Sequence, residues 1–301
     1  MSPATTPDSV ENSPSGVELP KRVGLIAGGG RFPVIVAQDL RRQGIEVVCA
    51  AIRGQADPDL REFCVAFRYL GLGRLNAAMS FFRNHEVREI TWAGWIRKAE
   101  LFRPWRLLSV FPDWRMTRFF FLRVKDHQNQ TLLGGLADEF ESEGFYLAHS
   151  AKFSPQLLAT EGVLSRRHPT PAELTDIAFG WHVAKRMAEL DVGQSVAVSE
   201  KSTLAVESIE GTDKNIVRAG EYYCRGGFTV VKLAKDDHDM RFDVPTVGPD
   251  TISTMVAAGG AVLAIEAGRT LILDGEETLR LADRHGIVVI ALSGPPEILD
   301  D

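Results

Sequence analysis

Val23-Gly24-Leu25-Ile26-Ala27-Gly28-Gly29-Gly30-Arg31-Phe32-Pro33 decides the fold. An apolar strand runs into three consecutive glycines. A helical pattern follows over Phe32–Arg42, ending at Gly44, and a second apolar run covers residues 47–52, so the segment reads as a β-α-β unit. A glycine turn at this place lets backbone N–H groups approach an anion, and the following helix directs its positive end to the same point. The dinucleotide fingerprint G-x-G-x-x-G is not satisfied, because the glycines lead straight into Arg31-Phe32-Pro33, with Pro33 suited to a first helical turn. Gly28, Gly29 and Gly30 therefore read as a nucleotide or phosphate cradle, or as a tight corner without a ligand, rather than as a NAD site.

Outward from this unit, residues 74–83 predict a helix and Glu89–Ala93 a strand ending in Gly94-Trp95. Ligands of open parallel sheets sit at strand ends, which makes Gly94 and Trp95 candidates for a cleft lining, although Trp95 serves equally well as core. Residues 21–148 are thus expected to form a Rossmann-like parallel sheet with helices. The Ser-, Pro- and acid-rich residues 1–20 read as a disordered tail, and the proline-broken stretch 149–170 as a linker. A second α/β domain, 171–301, opens on Thr170-Pro171-Ala172-Glu173, a capping box with proline at the first helical position. A hairpin is expected over 195–208, a helix from Thr212 or Asp213 toward Tyr223, a strand over 228–233, and a helix over 250–258. Strands over 261–265 and 270–273 follow, then a capping box at 274–277 and a last strand over 287–292. The fold class expected is two α/β domains, the first a Rossmann-like parallel sheet.

With 34 Lys and Arg against 40 Asp and Glu in 301 residues, the net charge of −6 argues against nucleic acid as a partner. Three cysteines, Cys49, Cys64 and Cys224, support neither a disulfide framework nor a zinc site. With neither a long apolar run nor a secretory leader read in it, the chain is expected in the cytoplasm. One segment departs from the average. Residues 97–125 carry eight basic and two acidic side chains interleaved with aromatic and other apolar ones, among them Phe102, Trp105, Phe111, Trp114 and Phe121. Such a mixture suits a bilayer interface, an acyl-chain groove, a single-stranded nucleic acid, or an amphipathic hairpin whose arginines are merely solvated.

Glu207, Glu210, Asp213 and Asp243 stand at the ends of expected strands rather than on helix surfaces. Carboxylates so placed suit a hard cation, Mg²⁺ or Mn²⁺, that keeps several waters and shares substrate phosphates. Arg241, two residues before Asp243, would point to the same side in an extended segment and clamp a phosphate, and Thr246 adds a hydroxyl donor. Gly211 permits a sharp turn before a helix that Thr212 or Asp213 could cap. His238 has no second histidine at metal-ligand spacing, and neither a G-x-S-x-G elbow nor a Walker pattern occurs.

The run from Gly24 to Pro33, the run Ala205-Val206-Glu207-Ser208-Ile209-Glu210-Gly211-Thr212-Asp213, and the run from Asp239 to Gly248 containing Arg241-Phe242-Asp243-Val244-Pro245 together resemble the LpxI-type UDP-2,3-diacylglucosamine pyrophosphatases. The resemblance implies a two-domain α/β hydrolase, with the active site in the cleft between the domains, that cleaves UDP-2,3-diacylglucosamine to UMP and 2,3-diacylglucosamine 1-phosphate by metal-assisted water attack on the α-phosphorus. It makes Asp243 the essential acid, with Asp213 and Arg241 as further catalytic residues and Glu207 and Asp213 joining Asp243 on the metal. Gly28, Gly29, Gly30, Gly94, Trp95, Glu210, Gly211, Thr212 and Thr246 are assigned to substrate. The basic aromatic segment would rest on the cytoplasmic surface of the inner membrane as a peripheral contact, and a homodimer is left open. Two places depart from the family pattern: Lys235-Asp236-Asp237-His238-Asp239 before the third motif, and Lys125-Asp126-His127, where only Asp126 remains of a paired acid. The rival readings are a non-catalytic sugar-nucleotide or lipid-binding protein and a nicotinamide-dependent oxidoreductase.

Overall fold

The computed structural model describes residues 20–96, 112–122, 129–223, 225, 227–235, 241 and 244–297. Asp243, Asp126, residues 236–240, Cys224, residues 97–111 of the basic segment and the N-terminal tail lie outside them.

The first domain follows the expected β-α-β course. Strand β1 (Arg22–Ala27) leads through the glycines to helix α1 (Phe32–Arg42) and strand β2 (Glu46–Ile52). Strand β3 (Ala66–Leu70), helix α2 (Leu75–Asn84) and strand β4 (Glu89–Ala93) follow, then helices α3 (Trp114–Leu122) and α4 (Asn129–Glu141) and strand β5 (Tyr146–Ala148). All five strands are parallel in the order β3-β2-β1-β4-β5. Strands β1 and β2 are almost wholly apolar because helices cover both sheet faces, as parallel sheets require. Leu25, Val47 and Cys49 pack with Phe32, Val36 and Leu40 of α1 on one face. Val48 and Ile90 pack with Phe82 of α2, Phe119 of α3 and Phe140 of α4 on the other.

The second domain is a six-stranded mixed sheet between helical layers. Its elements are β6 (Gly162–Val163), α5 (Pro171–Glu189), β7 (Ser195–Ser199), β8 (Ser202–Val206), α6 (Thr212–Tyr222) and β9 (Phe228–Lys232). They continue with β10 (Thr246–Val247), α7 (Pro249–Ala258), β11 (Gly260–Glu266), β12 (Leu271–Ile272), α8 (Gly275–His285) and β13 (Val288–Leu292). The order is β6-β13-β11-β9-β7-β8, with α6, α7 and α8 covering one face and α5 the other. The Thr170–Glu173 capping box forms in both directions. The one expected at residues 274–277 does not. Asp274 takes a left-handed conformation, φ 44° and ψ 51°, and its side chain caps nothing.

The stretch read as a linker is structured. Ala151 and Phe153 enter the first domain's core, while Gly162-Val163 joins the second sheet beside β13. Short 3₁₀ turns at Ser150–Lys152 and Pro155–Leu157 and a two-residue strand have too little periodicity to be seen in sequence. The crossing falls at Leu158-Ala159: Leu158 bridges Leu271, and the Ala159 amide donates to Thr270 O at 2.8 Å. Leu271 lies in the first domain's core, with Leu273 and Val244 packed against it, so the short β10–β12 ribbon is the seam between the domains.

Candidate active site

Strand order reverses direction between β1 and β4, and the loops leaving their ends form the natural crevice of a parallel sheet. Gly28, Gly29, Gly30, Gly94 and Trp95 meet there. The Gly28 amide donates to Ala93 O at 2.8 Å, the Gly29 amide to Trp95 O at 2.8 Å, and the Trp95 amide to Gly29 O at 3.1 Å. The indole lies on the turn so closely that a Cβ on Gly29 would come within 2.6 Å of it. These glycines therefore first serve to lock two loops together, and only past them does the chain turn outward. Trp95 is 47% exposed and faces the crevice rather than the core.

In the second domain the motif around Glu207 builds a polar nest. Glu207 is buried, and its Oε2 accepts from Ser195 Oγ at 2.6 Å and Thr212 Oγ1 at 3.0 Å. Asn215, fully buried on α6, donates to Ser195 Oγ at 3.1 Å, while its Oδ1 finds no partner among the described residues. Gly211, at φ 89°, swings the chain into α6, and the Thr212 hydroxyl turns to Glu207 instead of capping the helix. Glu210 pairs with Arg218 at 2.6 Å. Its own backbone amide, helped by that guanidinium, holds the carboxyl below the usual range. Asp213 stands in the first turn of α6 and makes no ion pair among the described residues.

The third motif begins differently from expectation. Arg241 lies in a turn rather than an extended segment, and its guanidinium reaches Glu141 of α4 at 2.6 Å. Val244 packs on the first domain's core, and the Thr246 hydroxyl donates to Val244 O at 2.8 Å. The residues on both sides of Asp243 thus contact the first domain. A second link crosses the seam where Arg31, next after the glycine turn, meets Asp274 at 2.6 Å.

Arg31 and Asp274 join the glycine turn to the β12–β10 ribbon that carries Thr246. Lys232, which donates to Thr246 O, stands opposite Ser195 of the nest in the β7–β9 pair. Three of the expected site side chains already have protein partners: Glu207 accepts from two hydroxyls, Glu210 pairs with Arg218, and Arg241 pairs with Glu141. Among the described residues no three His, Cys, Asp or Glu side chains form a cation site. Of the carboxylates expected on a cation, Glu207 is held by Ser195 and Thr212, Asp213 stands in the first turn of α6, and Asp243 lies outside the described residues. Sequence reasoning passed over Ser195, Asn215, Lys232 and Asp274. Only the odd polar residue closing an apolar strand, Lys232 after Phe228-Thr229-Val230-Val231, could have marked one of them.

A cleft of about 510 Å³ lies elsewhere, lined by Asn76, Asp113, Trp114, Arg115, Arg118, Phe119, Glu139 and Ser142. It belongs to the described end of the basic aromatic segment. Arg115 there is held by Glu139 and Glu143, at 3.0 and 2.5 Å, whereas Trp114 is 80% exposed. No helix among the described residues is long and apolar enough to cross a membrane.

The LpxI N-terminal domain matches residues 22–157 and the LpxI C-terminal domain residues 160–290. The UDP-2,3-diacylglucosamine pyrophosphatase LpxI of Caulobacter vibrioides is 30% identical over 282 residues, covering 90% of this chain and 98% of that protein. A solved structure, the biotin carboxylase domain of the Hydrogenobacter thermophilus 2-oxoglutarate carboxylase, covers 68% of this chain and 41% of its own at 13% identity and a TM-score of 0.26. That likeness is too slight to bear on the site.

Proposed function

The chain belongs to the LpxI family, and we propose that it uses the seam between its domains to hydrolyse UDP-2,3-diacylglucosamine to UMP and 2,3-diacylglucosamine 1-phosphate. The observation that carries the activity is that both family domains occur in order, with a pyrophosphatase matching along nearly its full length. Water adds to one phosphorus of the diphosphate, the bond from that phosphorus to the bridging oxygen breaks, and UMP and the sugar 1-phosphate part.

Mg²⁺, or Mn²⁺ in its place, would supply Lewis-acid neutralisation of the diphosphate. Asp243 and Asp213 are the residues we assign to hold it, with Asp243 also orienting the attacking water. Glu207 works one layer below, fixing Thr212 and, through Ser195 and Asn215, the first turn of α6. Gly30 and Arg31 present the first domain's amides and guanidinium to the phosphates, and Trp95 walls the crevice. Arg241, through Glu141, ties the Asp243 segment to the first domain. The exposed Trp114 and the neighbouring Arg118 would rest on the cytoplasmic face of the inner membrane, from which a diacylated substrate comes.

Incubation with UDP-2,3-diacylglucosamine and Mg²⁺ tests the reading. UMP release supports it, and binding without release would make the chain a sugar-nucleotide or lipid-binding protein.

A further inference from the structure

Lys232 closes β9 at 6% exposure, and among the described residues it forms no ion pair. Its Nζ donates to Thr246 O at 2.7 Å. An ammonium taken out of water costs several kcal/mol, and one carbonyl offsets only part of that. A methionine or leucine would fill the same place without the cost, so the charge and its donor call for a role.

The surroundings supply one. In the antiparallel β7–β9 pair Lys232 stands directly opposite Ser195, so the two side chains leave the sheet on the same face. That is the face where Ser195 meets Glu207 and Asn215. Thr246, the residue Lys232 holds, comes three positions after Asp243. The opposite end of the same loop is also pinned. Glu266 accepts from the Ala234 amide at 2.9 Å and from Lys185 at 3.0 Å, and Arg269 donates to Lys235 O at 2.5 Å. The segment that carries Asp243 therefore leaves one charged clamp and returns to another.

We propose that Lys232 is a positioning residue of the hydrolysis: its ammonium clamps the Thr246 carbonyl and fixes the strand behind Asp243 against the Ser195–Glu207 nest. The role rests on the activity proposed above and acts through Asp243, without contact to the reacting atoms. A positioning role separates turnover from affinity, because the glycine turn and Arg31, which hold the phosphates in that reading, belong to the first domain, and the Thr246 hydroxyl is taken up by Val244 O.

The test compares Lys232→Met, which keeps the volume but has no donor, with Lys232→Arg, which keeps a donor and the charge. Lys232→Met is expected to lower kcat at least tenfold with KM within about threefold, and to speed hydrogen exchange at the amides of residues 246–248. Lys232→Arg is expected to recover at least a third of the wild-type kcat. A Lys232→Met protein with wild-type kcat overturns the proposal, as do equal losses in both variants. If Lys232→Met does not fold, Lys232→Arg decides: retained kcat supports the clamp, and its loss contradicts it. Absence of UMP release by the unaltered protein would instead strike the activity, and exchange at residues 246–248 in the folded variants would still judge the clamp.

Discussion

Arg31 Nε lies 2.6 Å from Asp274 Oδ2, joining the residue after the first domain's glycine turn to the residue that opens α8 in the second. The two side chains are 65% and 29% exposed, so the pair contributes about 1 kcal/mol or less to stability. Its interest is positional. A carboxylate of the second domain sits on the guanidinium that the proposed reaction offers to a diphosphate. Arg31→Gln is therefore expected to leave the unfolding free energy within about 1 kcal/mol of wild type. KM for the nucleotide substrate should rise about tenfold, the effect of losing roughly 1.4 kcal/mol of contact. Steady-state kinetics beside a denaturant titration checks both, and an unchanged KM would remove Arg31 from the site.

The interlock between Gly94 and the glycine turn makes a second prediction. Gly94 has φ 88°, and a Cβ there would stand 2.5 Å from Gly29 O and 2.8 Å from Pro33 Cγ. Gly94→Ala must shift backbone, at an expected cost of about 2 kcal/mol or more. Urea denaturation measures it, and a cost below about 0.5 kcal/mol would mean that the two loops are not packed as described.

The capping box of α5 gives a pH-dependent expectation. Burial works against the Glu173 carboxylate, but Arg167, at 2.8 Å, and the Thr170 amide outweigh it and hold its pKa below the ordinary value. A carboxyl depressed in the folded state stabilises above its unfolded pKa, and that contribution is lost as pH falls through the folded pKa. Glu173→Gln should accordingly destabilise more at pH 7 than near pH 3, and Thr170→Ala should cost about 1 kcal/mol. Equal Glu173→Gln costs at the two pH values would contradict the pairing.

At the edge of the basic segment, Trp114 is 80% exposed beside Arg118. The double variant Trp114→Ser, Arg118→Gln is expected to bind vesicles of anionic phospholipid several-fold more weakly at unchanged melting temperature. Undiminished vesicle sedimentation would take the membrane contact away from this corner.

Much of the architecture could be read from residues alone, because it depends on local pattern. The β1–glycine–α1 run, the Thr170–Glu173 box and the β7–β8 hairpin are short-range, and each appears where its residues ask for it. The motifs carrying the site were visible for the same reason. Their present partners were not. That Glu207 spends an oxygen on Ser195 depends on a strand pairing twelve residues away, and that Arg241 turns to Glu141 depends on two domains docking a hundred residues apart. Asp274 looked like a helix cap because Asp favours that position. Its left-handed backbone comes from the corner after β12, and the carboxylate is drawn to Arg31. Strand β3, half-buried at the sheet edge, shows no clear alternation in Ala66-Phe67-Arg68-Tyr69-Leu70 and escaped notice.

Cleavage of UDP-2,3-diacylglucosamine at a site that Asp243 completes is tested by the UMP released from that substrate with Mg²⁺ by the unaltered protein and by Asp243→Ala, with circular dichroism to establish that both are folded. Steady release is expected from the former and at least a hundredfold less from the folded variant, the loss of about 3 kcal/mol of transition-state stabilisation. A folded Asp243→Ala protein that turns over at near the wild-type rate would contradict it.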